Sequence, residues 1–443
     1  MGLIPLALRR DPFEVLASIA TEPGAFLLEI PDETHPFVLL GCAPVAELRV
    51  TDGTSDAVGS IERFVAETSL VDAALPFPLG GGVLACLAYE LGDLIEPPRD
   101  GLTRRGALPL AVLRRYDPLL AYDRRRGQYG LLCRDARAAR APWLERLAAP
   151  APAWRGPVGG PLEPLLPPAR YRDAVARILG YLAAGDAYQV NLTLPFAASL
   201  VAPAWALAAR LAARHPVPYG AYLDLGSAQL VANSPELFLR RRGRRVETRP
   251  IKGTRPRGDG PSHDAALAAE LLHDPKERAE HVMIVDLERN DLGRVCDVGT
   301  VVVERYAAVE SHPTVHHLVS TIAGRLRADV GLADLLRATF PGGSITGAPK
   351  VRAMEIIREL EEWPRGPYTG TFGFLDPRGD LELGLAIRTA IVSGGAVHYH
   401  AGGGIVADSD PEREGAEAWL KTAALRRALR DQPRDGLELC SSG

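Results

Sequence analysis

Gly185-Asp186-Ala187-Tyr188-Gln189-Val190-Asn191-Leu192-Thr193-Leu194 is where one periodicity gives way to another. Upstream, Tyr171, Val175, Ile178 and Leu182 recur at helical spacing and predict a helix over 169–184, ended by Gly185-Asp186. Downstream, Gln189 to Leu194 alternates polar with apolar, the period of a strand that carries Gln189, Asn191 and Thr193 on one face. Helix leading straight into strand is the pattern of a mixed α and β chain. Pro203 opens a second helix that reaches Ala213, and strands over 219–225 and 229–231 run into Asn233-Ser234-Pro235-Glu236.

Outward from there, residues 1–147 read as a β-rich N-terminal domain. Short apolar strands are expected at Ala25 to Ile30, Phe37 to Leu40, Gly82 to Tyr89 and Leu110 to Tyr122, with Tyr89-Glu90 and Tyr116-Asp117-Pro118 as buried, hydrogen-bonded corners. The Pro- and Gly-rich stretch 148–169 is expected to be a linker crossing the surface. It leaves 170–430 as a catalytic domain, followed by a polar, loosely ordered tail over 431–443.

With 443 residues, 47% of them hydrophobic, the chain can bury a large core. A net charge of -4 and a pI near 6.2 give no electrostatic reason to bind nucleic acid or an anionic membrane. The longest apolar runs are too short to cross a bilayer, and Arg9, Arg10 and Asp11 interrupt any leader-like core, so a cytoplasmic location is expected. The five cysteines lack metal-ligand spacing and read as reduced thiols.

Among 51 Lys+Arg only Lys252, Lys276, Lys350 and Lys421 are lysines. Lys252, in Arg249-Pro250-Ile251-Lys252-Gly253-Thr254-Arg255-Pro256-Arg257-Gly258, departs from that bias where Pro250 and Gly253 fix the backbone in a loop. Arginine cannot supply an amine that loses its proton and attacks an electrophile, so Lys252 is a candidate nucleophile, with Arg255 and Arg257 near enough to depress its pKa. Moving a lysine from about 10.4 to near 7 disfavours the ammonium by roughly 4–5 kcal/mol, which asks for a built pocket.

Glu277 and Glu280 share a stripe with Ile284 and Leu287 on a helix starting near Lys276, and Glu414, Glu417 and Lys421 repeat the spacing near the C-terminus. Facing one another, the two pairs would offer four oxygen ligands to a hard ion such as Mg²⁺. In Ser311 to Ser320, His312, His316 and His317 do not complete a zinc site, and one of the tandem pair can act as an acid, base or orienting donor. Gly342-Gly343-Ser344 to Lys350 before a helix reads as an anion-binding turn, although not as a G-x-x-x-x-G-K-[ST] loop. A single strand over 381–392 would put Glu382, Gly384, Ala386 and Arg388 on one face, Arg388 awaiting an anionic partner. Gly402-Gly403-Gly404 lets backbone amides approach a ligand, and Tyr368 can add a hydroxyl.

These stretches together resemble the chorismate-utilising enzymes: anthranilate synthase component I, aminodeoxychorismate synthase component I, and the isochorismate and salicylate synthases. The resemblance is strong over 170–425. It is carried by Gly185 to Thr193, Asn233 to Glu236, the Lys252 stretch, His281-Val-Met-Ile-Val-Asp-Leu-Glu-Arg-Asn-Asp-Leu-Gly-Arg294, His317 to Ser320, Gly347 to Met354 and Ala401 to Val406. It implies an α/β (α+β) fold of two facing, mostly antiparallel sheets with helices outside. Isochorismate and salicylate synthases have a lysine where this chain has Gln189, and anthranilate synthases an alanine where it has Lys252.

Gln189 with Lys252 is therefore similar to the aminodeoxychorismate synthases, and several expectations follow from that resemblance. Lys252 attacks chorismate, ammonia displaces it to give 4-amino-4-deoxychorismate on the way to 4-aminobenzoate and folate, and Glu236 protonates the departing hydroxyl. Glu277, Glu280, Glu414 and Glu417 hold Mg²⁺, with Glu280 and Glu417 as direct ligands. Tyr368, Arg388 and the Gly404 amide hold the enolpyruvyl carboxylate, while His317, Ser344 and Lys421 line the pocket. No Gly-x-Cys-x-Gly turn marks an amidotransferase region, so ammonia is expected from solution or from a separate glutamine amidotransferase subunit, component II. Ile30 replaces the serine of a Leu-Leu-Glu-Ser tryptophan-pocket stretch, so tryptophan regulation is not expected. The rival readings are anthranilate synthase component I and a non-catalytic chorismate-binding subunit.

Overall fold

Alternation along the strands decides what each face meets. In the strand Phe26–Ile30, Phe26, Leu28 and Ile30 belong to an apolar cluster with Leu84, Cys86, Val112, Phe372 and Phe374. Leu27, pointing the other way, belongs to a second cluster with Leu16 and Ile19 of the helix Pro12–Ile19. The computed structural model describes residues 2–31, 36–68, 82–98, 101, 106–133, 136–313 and 315–430, so the tail expected over 431–443 lies outside the described residues. The expected architecture is the one observed: two antiparallel sheets pack face to face through the first cluster, and helices cover their outer faces through the second.

The first sheet runs in the order Gly2–Leu6, Gln128–Cys133, Leu119–Asp123, Phe37–Gly41, Phe26–Ile30, Tyr219–Asp224, Gln229–Ser234, Thr389–Ser393, Ala396–Ile405, Gln189–Ser199 and Gly347–Ala348. The second runs Ile251–Pro256, Val315–Arg325, Arg245–Arg249, Leu237–Arg242, Leu381–Leu385, Thr371–Leu375, Val83–Leu87, Ala111–Arg115 and Ala46–Val50. Both sheets take strands from either side of the Pro- and Gly-rich stretch, which is mostly irregular up to the Pro168–Ala183 helix. The candidate site sits where the Ile251–Pro256 strand of one sheet reaches, through Lys252, the Gly343–Ile345 turn that leads into Gly347–Ala348 at the edge of the other.

Several elements differ from expectation. The Lys252 stretch is a strand, not a loop: it pairs with Val315–Arg325, and its register slips between Lys252 and Thr254. Gly253 takes φ +75° at that bulge, and a Cβ there would lie 2.7 Å from Leu271 Cδ1. The expected strand over 381–392 is two strands in different sheets, joined by a crossing in which Arg388 has φ +49°. The glycine turn forms a 3₁₀ turn, Gly343–Ile345, and a two-residue strand, so it does not open the helix Lys350–Leu360 directly. Lys350 is held by Asp291 at 2.6 Å and does not wait for an anion. The N-terminal third also carries the helices Pro12–Ile19, Ala57–Ala66 and Ala136–Arg146. Both corners are as expected: Tyr116 donates to Gly24 O at 2.7 Å, and Glu90 Oε1 accepts from the Arg365 and Gly366 amides. No helix among the described residues is long and apolar enough to cross a membrane.

Candidate active site

The bulge at Gly253 gives Lys252 its place. Its Nζ donates to the Ser344 carbonyl at 3.3 Å, across the gap between the sheet edges. Lys252 keeps some surface accessible while protein surrounds it on all sides, as at the floor of a narrow cleft. Burial lowers its pKa, the carboxylates of Glu280 and Glu236 oppose that, and Lys421 adds to it. Arg255 and Arg257 are not the cause expected of them, because their guanidinia are engaged by Glu270 and Asp274, and by Asp264.

Ser344 joins the nucleophile candidate to the acid candidate. Its hydroxyl donates to Glu236 Oε1 at 2.6 Å, while its carbonyl holds Lys252. Glu236 follows the strand Gln229–Ser234, and burial pushes its pKa up to about 7 against the lowering effects of Ser344 and Lys252. Near neutrality the pair thus offers a proton on the carboxyl and a destabilised charge on the amine.

Around this pair lie buried polar groups without protein partners. Gln189 Oε1 and Nε2 and Asn191 Nδ2 have none among the described residues. Asn191 stands opposite Gly404 in the sheet, and a Cβ on Gly404 would run into Gln189 Nε2. Arg388 makes no ion pair with any described residue, and burial lowers its pKa. Tyr368 stacks on His400 with ring centroids 5.3 Å apart, and burial raises its hydroxyl pKa. Orphaned buried donors are rare in native proteins, and the two unpartnered amides, together with a guanidinium that has no ion pair among the described residues, fit a seat for an oxygen-rich anion. His317 lies on the neighbouring strand with Nδ1 3.0 Å from Thr254 Oγ1; burial, then Arg388, lowers its pKa to about 3, so it is a neutral imidazole.

The two glutamate pairs, each on one helix face as its spacing indicates, lie on helices that Lys276 bridges. Glu277 and Glu280 lie on the helix Pro275–Gly293, and Glu414 and Glu417 on Pro411–Leu420. Lys276 Nζ is 3.9 Å from both Glu280 and Glu414, bridging the helices, and Lys421 Nζ is 2.8 Å from Glu417. Burial raises the pKa of Glu277, Glu280 and Glu414, and charges among the four carboxylates add to it: Glu417 raises Glu277 and Glu414, and Glu277 and Glu414 raise Glu280. Glu417 alone is lowered, by Lys421. Among the described residues no three carboxylates are drawn in tightly enough to enclose an ion, so the two lysines carry the counter-charge here. The donor set itself, four mutually repelling carboxylates on two facing helices, fits a hard divalent cation. Lys421 also donates to Gly402 O at 2.7 Å, and the flank of Gly403 faces Glu414, Glu417 and Lys421.

Two groups had no sequence signal. Glu288 is buried beside the Gly342-Gly343 turn, accepts from Thr248 Oγ1 at 2.9 Å and has its pKa pushed up to about 8 by burial. Arg365 and Glu361 form a buried pair under the Gln189–Ser199 strand. Nothing in the spacing of a chain so rich in arginine and glutamate set these apart.

A family model described as chorismate binding enzyme matches residues 23–427. The chain is 40% identical over 427 residues to anthranilate synthase component 1 of Thermus thermophilus, covering 92% of each. It is 37% identical over 453 residues to aminodeoxychorismate synthase component 1 of Klebsiella aerogenes, covering 97% of this chain and 99% of that one. In structure it is similar to anthranilate synthase component I of Streptococcus pneumoniae, with a TM-score of 0.79, 30% identity, and coverage of 88% of this chain and 92% of that one. On these grounds, and with the same stretches lining the cleft, the chain belongs to the family of chorismate binding enzymes.

Proposed function

We propose that this chain converts chorismate and ammonia to 4-amino-4-deoxychorismate and water through a covalent bond to Lys252. The observation that carries the reading is the chain from the Lys252 amine through Ser344 to the Glu236 carboxyl, with Lys252 lowered and Glu236 raised to about 7. The neutral amine of Lys252 adds to C2, the double bond shifts, and the 4-hydroxyl leaves as water with the proton of Glu236. Ammonia then adds at C4, the bond to Lys252 breaks, and a proton from the incoming nitrogen returns to the Glu236 carboxylate. Arg388, Tyr368 and the Gly404 amide orient the enolpyruvyl carboxylate, Gln189 and His317 border the ring, and Lys421 fixes the Gly402 backbone beneath it.

Glu280 and Glu417 directly, and Glu277 and Glu414 through water, would hold Mg²⁺, which when bound supplies positive charge to the ring carboxylate. Ammonia comes from solution or from a glutamine amidotransferase subunit, and the working compartment is the cytoplasm. The chain alone is expected to use ammonium salts and to need that subunit before it uses glutamine.

A second reading, anthranilate synthase component I, is favoured by the 40% identical Thermus thermophilus relative of that name. One incubation separates them: chorismate, Mg²⁺ and ammonium, then a lyase that releases 4-aminobenzoate. Accumulation of 4-aminobenzoate supports the proposal. Fluorescent anthranilate as the sole product overturns it in favour of the second reading, and untouched chorismate leaves only a binding subunit.

A further inference from the structure

Arg365 lies just beyond the helix Lys350–Leu360 and is 3% exposed. A guanidinium has five N–H groups, and Arg365 makes five hydrogen bonds. Nη1 donates to Ile345 O at 3.0 Å and to Thr369 Oγ1 at 3.3 Å, and Nη2 to Asn191 O at 3.0 Å. Nη2 and Nε close a fork on Glu361 at 2.6 and 2.8 Å, and the group lies 4.6 Å from the centroid of the Tyr89 ring. Glu361 Oε1 also accepts from Thr193 N and Oγ1, both at 3.0 Å.

Apart from Glu361, the acceptors come from three separate parts of the chain, and each is next to, or two residues from, a group of the site. Ile345 follows Ser344, which holds both Lys252 and Glu236; Asn191 is two residues from Gln189; Thr369 follows Tyr368. We propose that Arg365 is a positioning residue that sets these three segments in register, and through Ser344 fixes the distance between the Lys252 amine and the Glu236 carboxyl. Lysine cannot replace it, since an ammonium has three donors and no planar fork. The guanidinium also borders a small indentation of about 20 Å³ lined in part by Tyr89, Glu90, Trp363 and Pro364, with Trp363 exposed at its rim.

The kinetic side of this inference rests on the proposed function, so its test has one arm that does not. Arg365→Lys is compared with the unaltered chain for chorismate consumption, thermal midpoint, and the pH midpoint at which Lys252 becomes reactive to a small acylating reagent, read by peptide mass spectrometry. The expected result is a kcat lower by roughly tenfold to a hundredfold with little change in thermal midpoint, and a displaced Lys252 midpoint. Arg365→Ala is expected to regain activity with added guanidinium ion and not with tetramethylammonium. Unchanged kinetics and an unchanged Lys252 midpoint in Arg365→Lys would overturn the proposal, as would a loss that only tracks the unfolded fraction. If the unaltered chain leaves chorismate intact, the functional reading fails, and the Lys252 midpoint alone decides on Arg365.

Discussion

An amine that attacks carbon must be neutral when the carboxyl that assists the leaving group still holds its proton. Burial, which penalises whichever form is charged, moves Lys252 and Glu236 towards that condition from opposite sides. Activity is expected to rise with pH as Lys252 loses its proton, and to fall above about 7 as Glu236 ionises. Glu236→Gln should lower kcat by roughly 10²–10⁴-fold and remove the alkaline limb, and Lys252→Ala should abolish the aminated product. A pH–rate profile that keeps its alkaline limb in Glu236→Gln would assign that limb elsewhere. Lys252 was legible because arginine fills almost every other basic position, and Glu236 because Asn233-Ser234-Pro235 precedes it. Glu288 was not, since neither its spacing nor its neighbour Arg289 distinguishes it from a solvated glutamate. Its stability signature has a definite sign. A folded-state pKa raised from 4.5 to about 8 contributes stability that is fully present below 4.5 and lost as pH rises through 8. Glu288→Gln keeps a neutral side chain of the same shape, so its thermal midpoint relative to the unaltered chain should climb between those limits and level off above them. A difference independent of pH would mean that Glu288 does not change its charge on unfolding.

At the scale of elements, the two acidic helices and the two sheet edges do different work. Glu277 and Glu280 on Pro275–Gly293 face Glu414 and Glu417 on Pro411–Leu420; the three-residue spacing made each pair legible as one helix face, whereas the meeting of the two pairs is a tertiary matter that spacing does not specify. Burial raises the pKa values of three of the four first, and repulsion among the carboxylates adds to it, a repulsion that a divalent cation would relieve. Chelation is therefore expected to stop chorismate consumption and Mg²⁺ to restore it. Glu280→Gln should raise the half-saturating Mg²⁺ concentration by at least roughly tenfold. Equal Mg²⁺ titrations for Glu280→Gln and the unaltered chain would remove Glu280 from the set. The strand break at 386–388 was illegible for a physical reason. Alternation continues through Ala386, Ile387 and Arg388, and only the choice of partner sheet, a tertiary matter, ends one strand and starts another. The same choice holds Arg388 with φ +49° and without an ion pair to any described residue, an arrangement that sequence spacing cannot specify.

Across the whole molecule, the β-rich N-terminal third does not pair only with itself. Phe26–Ile30 lies between Phe37–Gly41 and Tyr219–Asp224 in one sheet, and Val83–Leu87 pairs with Thr371–Leu375 in the other. The cluster between the sheets mixes Phe26, Phe37 and Val112 with Tyr219, Phe372 and Phe374. Separating the two parts of the chain would expose two sheet edges and this cluster, whose burial contributes about 25 cal/mol per Å² of apolar surface. The Pro- and Gly-rich stretch reads as a boundary because its backbone is irregular, with Trp154 and Arg155 exposed, and such segments are where proteases cut. A single cut near Trp154 should therefore yield two fragments that stay together at the native mass on gel filtration and keep consuming chorismate. They should part only in denaturant, at a midpoint close to that of the intact chain. Fragments that separate in dilute buffer, with the C-terminal one folded and active, would show that the catalytic part carries its own core and that the shared sheets are not what holds the site.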